Sequence, residues 1–162
     1  MTGKPMTGKP MTGTPLTGDD AALADAARGQ LLLVTRRIRR ALVAIAREVD
    51  ASLDPTGFIL LSTLADRGEM RSTDLVALHD MDKAVVSRQV RALMDLGMVT
   101  RRTDPADARA ALLAIVPATA DRVRELRAQR AASIVAPFAS RDEGDLAQFV
   151  RLLERYNEGS AI

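Results

Sequence analysis

The stretch from residue 82 to residue 97 combines basic, hydroxyl and small side chains at helical spacing. At about 100° per residue, one face of such a helix carries five residues: Lys83, Ala84, Ser87, Arg88 and Arg91. Ammonium, guanidinium and hydroxyl groups on one exposed face can donate hydrogen bonds to phosphates and to base edges of duplex DNA. A basic face taken by itself is more often simply solvated, so both interpretations stay open at this point.

The other face and both ends of this stretch predict a short helix. Asp82 can cap the first turn, and Gly97 suits the left-handed residue that ends a helix, after which Met98 can fold back. We therefore predict a helix over 82–96. Its apolar face consists of Val86, Val90 and Leu93. Gln89 falls near the apolar side and has no evident role.

The composition excludes several classes of chemistry. The chain has 162 residues, of which 47% are hydrophobic and 2% aromatic, enough for one domain with an aliphatic core. It has no cysteine, which excludes disulfides, thiolate-bound zinc and cysteine nucleophiles. The net charge of +2 is compatible with a nucleic-acid partner but does not demonstrate one.

Motifs of enzymes and cofactor sites are missing from the sequence. It contains no Gly-rich phosphate loop, no HExxH and no serine elbow, so we expect neither an enzyme nor a cofactor. The only histidine, His79, has acidic neighbours but no second nitrogen ligand nearby. For His79 an interaction with a helix dipole is favoured over a metal site.

The first 18 residues repeat MTGKP, MTGKP, MTGTP and LTG. Pro and Gly recur through the repeat and oppose helix and strand, so we predict a disordered tail over 1–18. No apolar run is long enough to cross a bilayer, and the N-terminus lacks the apolar region of an export signal. We therefore expect no membrane association and a cytoplasmic location.

Three helices are predicted before residue 82. The first runs from Asp19 to about Val49, and its apolar residues extend beyond one stripe, which favours a second subunit as a partner. Asp54-Pro55 starts the second helix, which stops at Gly68, and the third spans about 72–79. Because the link to the next helix is so short, the third and fourth helices form a helix-turn-helix whose second helix is the reader.

After Gly97 the periodicity changes to that of strands. Residues 98–102 are predicted to form one strand and 111–116 its partner, and 103–110 supply turn chemistry between them. A hairpin over 98–116, directly after a reading helix, is a wing that can reach the DNA backbone or the minor groove. Pro117 starts a fifth helix, and 140–143 form a capping box for a sixth. The predicted order, within a domain over 19–160, is α-α-α-α-β-β-α-α.

From about residue 20 to residue 158 the chain resembles the MarR family of winged helix-turn-helix transcription regulators. The resemblance is carried by Leu78–Gly97, by the LMDLGMVTRR sequence over 93–102, and by DPADAR over 104–109. It implies a mainly α fold with a minor β component and dimerisation helices at both ends. It also implies a homodimeric repressor that binds double-stranded DNA at a pseudo-palindromic operator and is released by a small, often aromatic, effector.

The resemblance also implies roles for individual residues. The five residues of the basic face would enter the major groove. Arg109 would enter the minor groove with its guanidinium oriented by Asp107, because these two match the family's Asp-x-Arg wing motif. Ser72 and Thr73 would hold phosphates. Arg71 stands where the family has a hydroxyl residue, so Ser72 is expected to be the actual helix cap.

Several alternatives stay open in the sequence. A winged helix can serve as an architectural DNA binder without regulation, or as a protein-interaction module, although the basic face argues against pure protein contact. A carboxylate-based hydrolase has the least support. Asp107 can equally be a turn-forming residue. Arg101 and Arg102 alternate along a strand, so only one of them can face DNA, and the sequence does not say which.

Overall fold

The computed structural model describes residues 18–136 and 144–159, without the side chains of 108, 109, 133–135 and 159. Most of the predicted tail and the capping box at 140–143 lie outside the described residues. Gly18, which we assigned to the tail, is the first residue of a helix instead.

The described elements follow the predicted order with one addition. They are α1 (Gly18–Val49), α2 (Pro55–Arg67), β1 (Met70–Arg71), α3 (Ser72–His79), α4 (Lys83–Asp95), β2 (Val99–Asp104), β3 (Asp107–Ile115), α5 (Pro117–Val135) and α6 (Asp145–Gly159). The mainly helical winged helix-turn-helix fold is thus confirmed. None of the described helices is long and apolar enough to cross a membrane.

The addition is strand β1, which makes the wing part of a three-stranded antiparallel sheet in the order β1-β3-β2. Its two residues pair with the middle of β3, Met70 with Leu113 and Arg71 with Leu112. A strand of two residues has no periodicity to recognise. It exists because β3 offers it a hydrogen-bonding edge.

The hairpin turn is shorter than we predicted. Only Pro105 and Ala106 connect the strands, so the predicted turn over 103–110 is wrong. The strands continue through polar residues because Thr103 pairs with Ala111, and a register shift after Thr103 brings Asp104 opposite Asp107. Polar side chains suit both a turn and a solvent-facing strand, and the local sequence does not separate the two.

The chain divides into two compact units, residues 1–40 and 41–162. In the first unit, all the described residues, 18–40, are helical and exposed. The second unit holds the hydrophobic core, to which the last part of α1 contributes Ile45 and Ala46. The largest fully buried side chains of this core are Leu60, Leu61, Leu64, Leu75, Val86, Leu93, Leu113, Val123 and Leu126.

Two arginines of α5 form polar contacts with α2. Arg124 donates from Nη2 to the carbonyl of Ala65 over 3.1 Å, and Arg127 pairs with Asp66 over 2.7 Å. Beside these contacts, Val123 and Leu126 of α5 are buried in the core.

Both ends of α4 form as predicted. Asp82 Oδ1 accepts hydrogen bonds from the amides of Ala84 and Val85, over 2.6 and 3.3 Å. Gly97 has a φ of +68°, and the Met98 amide donates to the Leu93 carbonyl over 2.9 Å. Such a C-terminal motif needs a left-handed residue, which glycine adopts without steric strain.

Removing the N-cap of α4 should lower the stability of the domain. We expect Asp82→Ala to lower the free energy of unfolding by about 1 kcal/mol, because two amides of the first turn lose their acceptor. Asp82→Asn, which retains a capping oxygen, is the matched control. Urea denaturation measures both, and equal midpoints for the two variants would contradict the cap assignment.

Candidate nucleic-acid interface

The predicted basic face of α4 is exposed along its length. Lys83, Ala84, Ser87, Arg88 and Arg91 are all exposed, whereas Val86 and Leu93 on the other face are fully buried and Val90 is 9% exposed. The assignment of the two faces is therefore as predicted. Because the apolar face is packed in the core, the cationic side chains must point to solvent or to a partner.

A groove of about 620 Å³ runs between α3, α4 and the sheet. Both predicted phosphate-binding residues, Ser72 and Thr73, line it together with Lys83, Ser87 and Arg91. Ala84 and Arg88 do not line the groove, although they belong to the same exposed face of α4. Apolar side chains also line the groove: Val76, Val86, Val90, Met94 and Leu113.

The two adjacent arginines of β2 have different surroundings. Arg101 lines the groove beside α4. Arg102 points to the other face of the sheet and pairs with Glu69, its Nε lying 2.9 Å from Oε1. The hydrogen bond from Arg102 lowers the pKa of Glu69 below its ordinary value. Arg101, not Arg102, is therefore the arginine available to a ligand of this groove.

The carboxylate of Asp104 holds the turn of the wing. Asp104 is only 6% exposed, and its Oδ1 accepts from the Ala106 amide over 2.8 Å. Its Oδ2 accepts from Arg71 Nε over 2.7 Å, a contact that reaches across to β1. The Ala106 amide first, and then Arg71, lower the pKa of Asp104 below its ordinary value. One carboxylate thus joins the wing turn to the start of α3.

This arrangement corrects the expected cap of α3. Arg71 occupies the N-cap position, and its amide donates to Asp74 Oδ2 over 3.2 Å, so Ser72 is the first helical residue and not the cap. The side chain of Arg71 is directed to Asp104. The sequence contained both partners, an arginine in place of the family's hydroxyl residue and an aspartate before Pro105. Because the two are 33 residues apart in the chain, the sequence did not indicate that they pair.

The predicted wing pair, Asp107 and Arg109, is described only in part. Asp107 is exposed at the start of β3, and its charge contributes to a raised pKa of Arg71, after the larger effect of Asp104. Arg109 lies in β3, but its side chain is outside the described residues. The minor-groove contact of Arg109 stays a prediction, as does its orientation by Asp107.

His79 has a structural partner. As the last residue of α3, it places Nε2 2.8 Å from Thr63 Oγ1 on α2. The Thr63 hydroxyl also donates to the Ile59 carbonyl over 3.0 Å, so Thr63 connects the end of α3 to the backbone of α2. The described residues contain no group of histidine, aspartate and glutamate side chains that could hold a metal ion.

The Asp104 contacts predict a pH-dependent contribution to stability. Since the folded-state pKa is below the ordinary value of about 3.9, this contribution is present above about pH 4 and disappears as the pH falls through the folded-state pKa. Asp104→Asn should therefore be less stable than the wild type at pH 7, and the difference should vanish towards pH 2. Urea midpoints across this range measure it.

Thr103→Val, a neutral change at the neighbouring exposed position, serves as the control for this series. Its effect on the urea midpoint should not depend on pH, because no titrating group is altered. A difference between Asp104→Asn and the wild type that stays constant from pH 7 to pH 2 would show that the charge of Asp104 does not stabilise the wing.

A family model matches the segment of the chain that carries the candidate interface. The MarR family model matches residues 53–111, which include α2, α3, α4 and most of the wing. No curated protein matches the chain at the sequence level. A solved MarR family transcription regulator superposes with a TM-score of 0.77 at 18% identity, covering 88% of this chain and 93% of that one.

Two further solved structures have the same fold. Wild-type MarR from E. coli gives a TM-score of 0.61 at 16% identity and covers 79% of this chain and 95% of that one. BpsR from Bordetella bronchiseptica, whose DNA binding is regulated by 6-hydroxynicotinic acid, gives 0.58 at 25% identity and covers 79% and 98%. The fold of the chain is that of MarR family transcription regulators, which are not enzymes.

Proposed function

We propose that this chain, whose residues 53–111 form a MarR-family domain, is a regulator of transcription that binds double-stranded DNA in a sequence-specific manner. It acts as a homodimer on a pseudo-palindromic operator and represses transcription by occluding a promoter. The observation that carries the proposal is the exposed basic face of α4, backed by a fully buried apolar face.

The shape and chemistry of α4 suit a major groove. Its 13 residues make a rod of about 20 Å, and its basic face carries donors for base edges and phosphates. In our proposal Lys83, Ser87, Arg88 and Arg91 read or hold the DNA, and Ala84 permits close approach. Ser72, Thr73 and Arg101 hold phosphates from the other side of the groove between α3 and α4.

The wing completes the interface in this proposal. Arg109 enters the minor groove and Asp107 orients it, as the Asp-x-Arg motif suggests. The support from this chain is the turn at 105–106, which Asp104 and Arg71 fix beside α3. A wing fixed in this way reaches the DNA with little loss of conformational entropy.

The apolar surface of α6 supports the homodimer. Phe149, Val150, Leu152, Leu153 and Tyr156 are all more than a third exposed. In the first unit, apolar residues of α1 such as Leu23 and Ile38 are exposed as well. Exposed apolar residues in this number favour burial by another molecule, and a second copy gives the two-fold symmetry that a palindromic operator requires.

A small aromatic acid is the effector that we propose. The support is BpsR, whose DNA binding is regulated by 6-hydroxynicotinic acid and which shares 25% of its sequence with this chain. An effector of this kind lowers operator affinity by changing the spacing of the two α4 helices in the dimer, because it binds the non-operator spacing more tightly.

The test of the proposed function is selection of bound duplexes from a random pool by the full chain, with and without a panel of aromatic acids that includes 6-hydroxynicotinic acid. We expect a pseudo-palindrome whose half-sites are about one helical turn apart. Binding without sequence enrichment would instead establish an architectural binder. A chain that binds no duplex at low salt would refute the DNA interface.

Replacing Arg88 should separate base reading from phosphate binding. We expect Arg88→Ala to cost about 1–3 kcal/mol on the selected duplex and much less on random DNA, since a base contact is lost. Fluorescence anisotropy over a salt series measures both affinities. Arg151→Ala, an equal charge change on α6, is the matched control, and an equal loss on both duplexes would show that Arg88 contacts phosphate only.

Disrupting the exposed face of α6 should dissociate the dimer. Leu153→Glu places a charge among the exposed apolar residues of this helix, and burying that charge in an interface is unfavourable. Sedimentation equilibrium should give a dimer for the wild type at micromolar concentration and a monomer for the variant. A monomeric wild type would refute the homodimer and, with it, the palindromic operator.

A further inference from the structure

The polar link between α4 and α2 involves Gln89, which the sequence left without a role. Gln89 is half-buried on the flank of α4, and its Nε2 donates to Asp54 Oδ2 over 2.5 Å. The two residues are 35 positions apart in the chain. A hydrogen bond from an amide to a carboxylate is short and stronger than a neutral one.

The same carboxylate starts helix α2. Asp54 Oδ1 accepts from the Gly57 amide over 2.8 Å, which makes Asp54 the N-cap of that helix. Oδ1 therefore binds the backbone of α2, and Oδ2 binds the Gln89 side chain on α4. Because the cap orients the carboxylate, the second oxygen is presented to Gln89 in one direction.

Gly57 allows the two helices to approach at this point. A Cβ built on Gly57 would lie 2.7 Å from Leu53 Cδ1, 3.2 Å from Gln89 Oε1 and 3.6 Å from Leu93 Cδ2. The Gln89 side chain therefore lies directly against the backbone of α2. Its amide lies beside the first turn of that helix and reaches the exposed Asp54 at the N-cap.

We propose that Gln89 is a positioning residue that sets the rotation of α4 about its own axis, and thereby the direction of Arg88 and Arg91. This inference rests on the proposed function. The contacts of Val86, Val90 and Leu93 hold α4 in the core, but apolar burial has little directionality. The hydrogen bond to Asp54 is directional and lies between the buried face and the basic face.

A small rotation of α4 about its axis is enough to displace hydrogen bonds to base edges. At a helix radius of about 5–6 Å, a rotation of about 20° moves a point on the helix surface by about 2 Å. Hydrogen bonds to base edges tolerate only a few tenths of an ångström. Attraction to phosphates is far less demanding, so loss of the link should lower discrimination between duplexes and leave affinity for random DNA unchanged.

Substitutions at positions 54 and 89 can break and restore the link. Gln89→Met keeps length and charge but removes the donor. Gln89→Glu places two carboxylates against each other. The double variant Gln89→Glu with Asp54→Asn reverses the bond, because the new amide at position 54 donates to the new carboxylate at position 89. It also keeps the net charge of the wild type, and asparagine remains a good N-cap.

The measurement is the ratio of affinities for two duplexes of equal length, the one selected by the wild type from a random pool and one of random sequence. We expect Gln89→Met to lower this ratio at least about tenfold, with its random-DNA affinity and salt slope unchanged. Gln89→Glu should lower the ratio too, and the double variant should restore it to within about threefold. Thermal melting of each variant reports the fold separately.

The outcomes distinguish the inference from a purely structural role. A lower melting temperature with an unchanged ratio for Gln89→Met would overturn it, since the bond would then only stabilise the fold. Failure of the double variant to recover while it melts like the wild type would overturn it as well. A wild type without preference for any duplex would refute the proposed function itself, and the inference with it. If the wild type does discriminate between duplexes, the variants test the role of Gln89 alone.

Discussion

The burial of one face of α4 is the constraint on which the rest of the interface depends. Val86 and Leu93 are removed from solvent, so the helix is free neither to turn its basic face inward nor to leave the core without a large loss of apolar burial. The cap at Asp82 and the left-handed Gly97 fix where this helix begins and ends. These few residues decide which side of α4 carries the cations.

Two polar contacts add direction to the apolar packing of α4 and of the wing. Asp54 with Gln89, and Asp104 with Arg71, each connect elements that are more than 30 residues apart, and in each case the carboxylate also binds a backbone amide. Of these four residues only Asp104 is buried, and single hydrogen bonds or ion pairs that are open to solvent add little to the free energy of folding. Their importance lies in direction, since apolar packing alone leaves helices and hairpins free to make small rotations.

Much of the fold was predictable, because its signals are local. The caps, the glycine stops and the helical spacing of apolar residues identified α2, α3 and α4 to within a residue or two, and the change of periodicity identified the wing. The faces of α4 followed from the same spacing. The two errors in the sheet, the missed strand β1 and the length of the hairpin turn, arose because both depend on pairing with β3 and not on local propensity.

By itself, then, the sequence determined which residues share the reading helix and which of its faces is charged, because a helix places residues by spacing alone. Only the tertiary structure decided what stands beside that helix. It separated Arg101 in the groove from Arg102 beside Glu69, made Asp104 the carboxylate that holds the wing turn, and gave Gln89 its partner. Each of these choices depends on a residue from another element brought within hydrogen-bonding or packing distance, a relation that spacing along the chain does not encode.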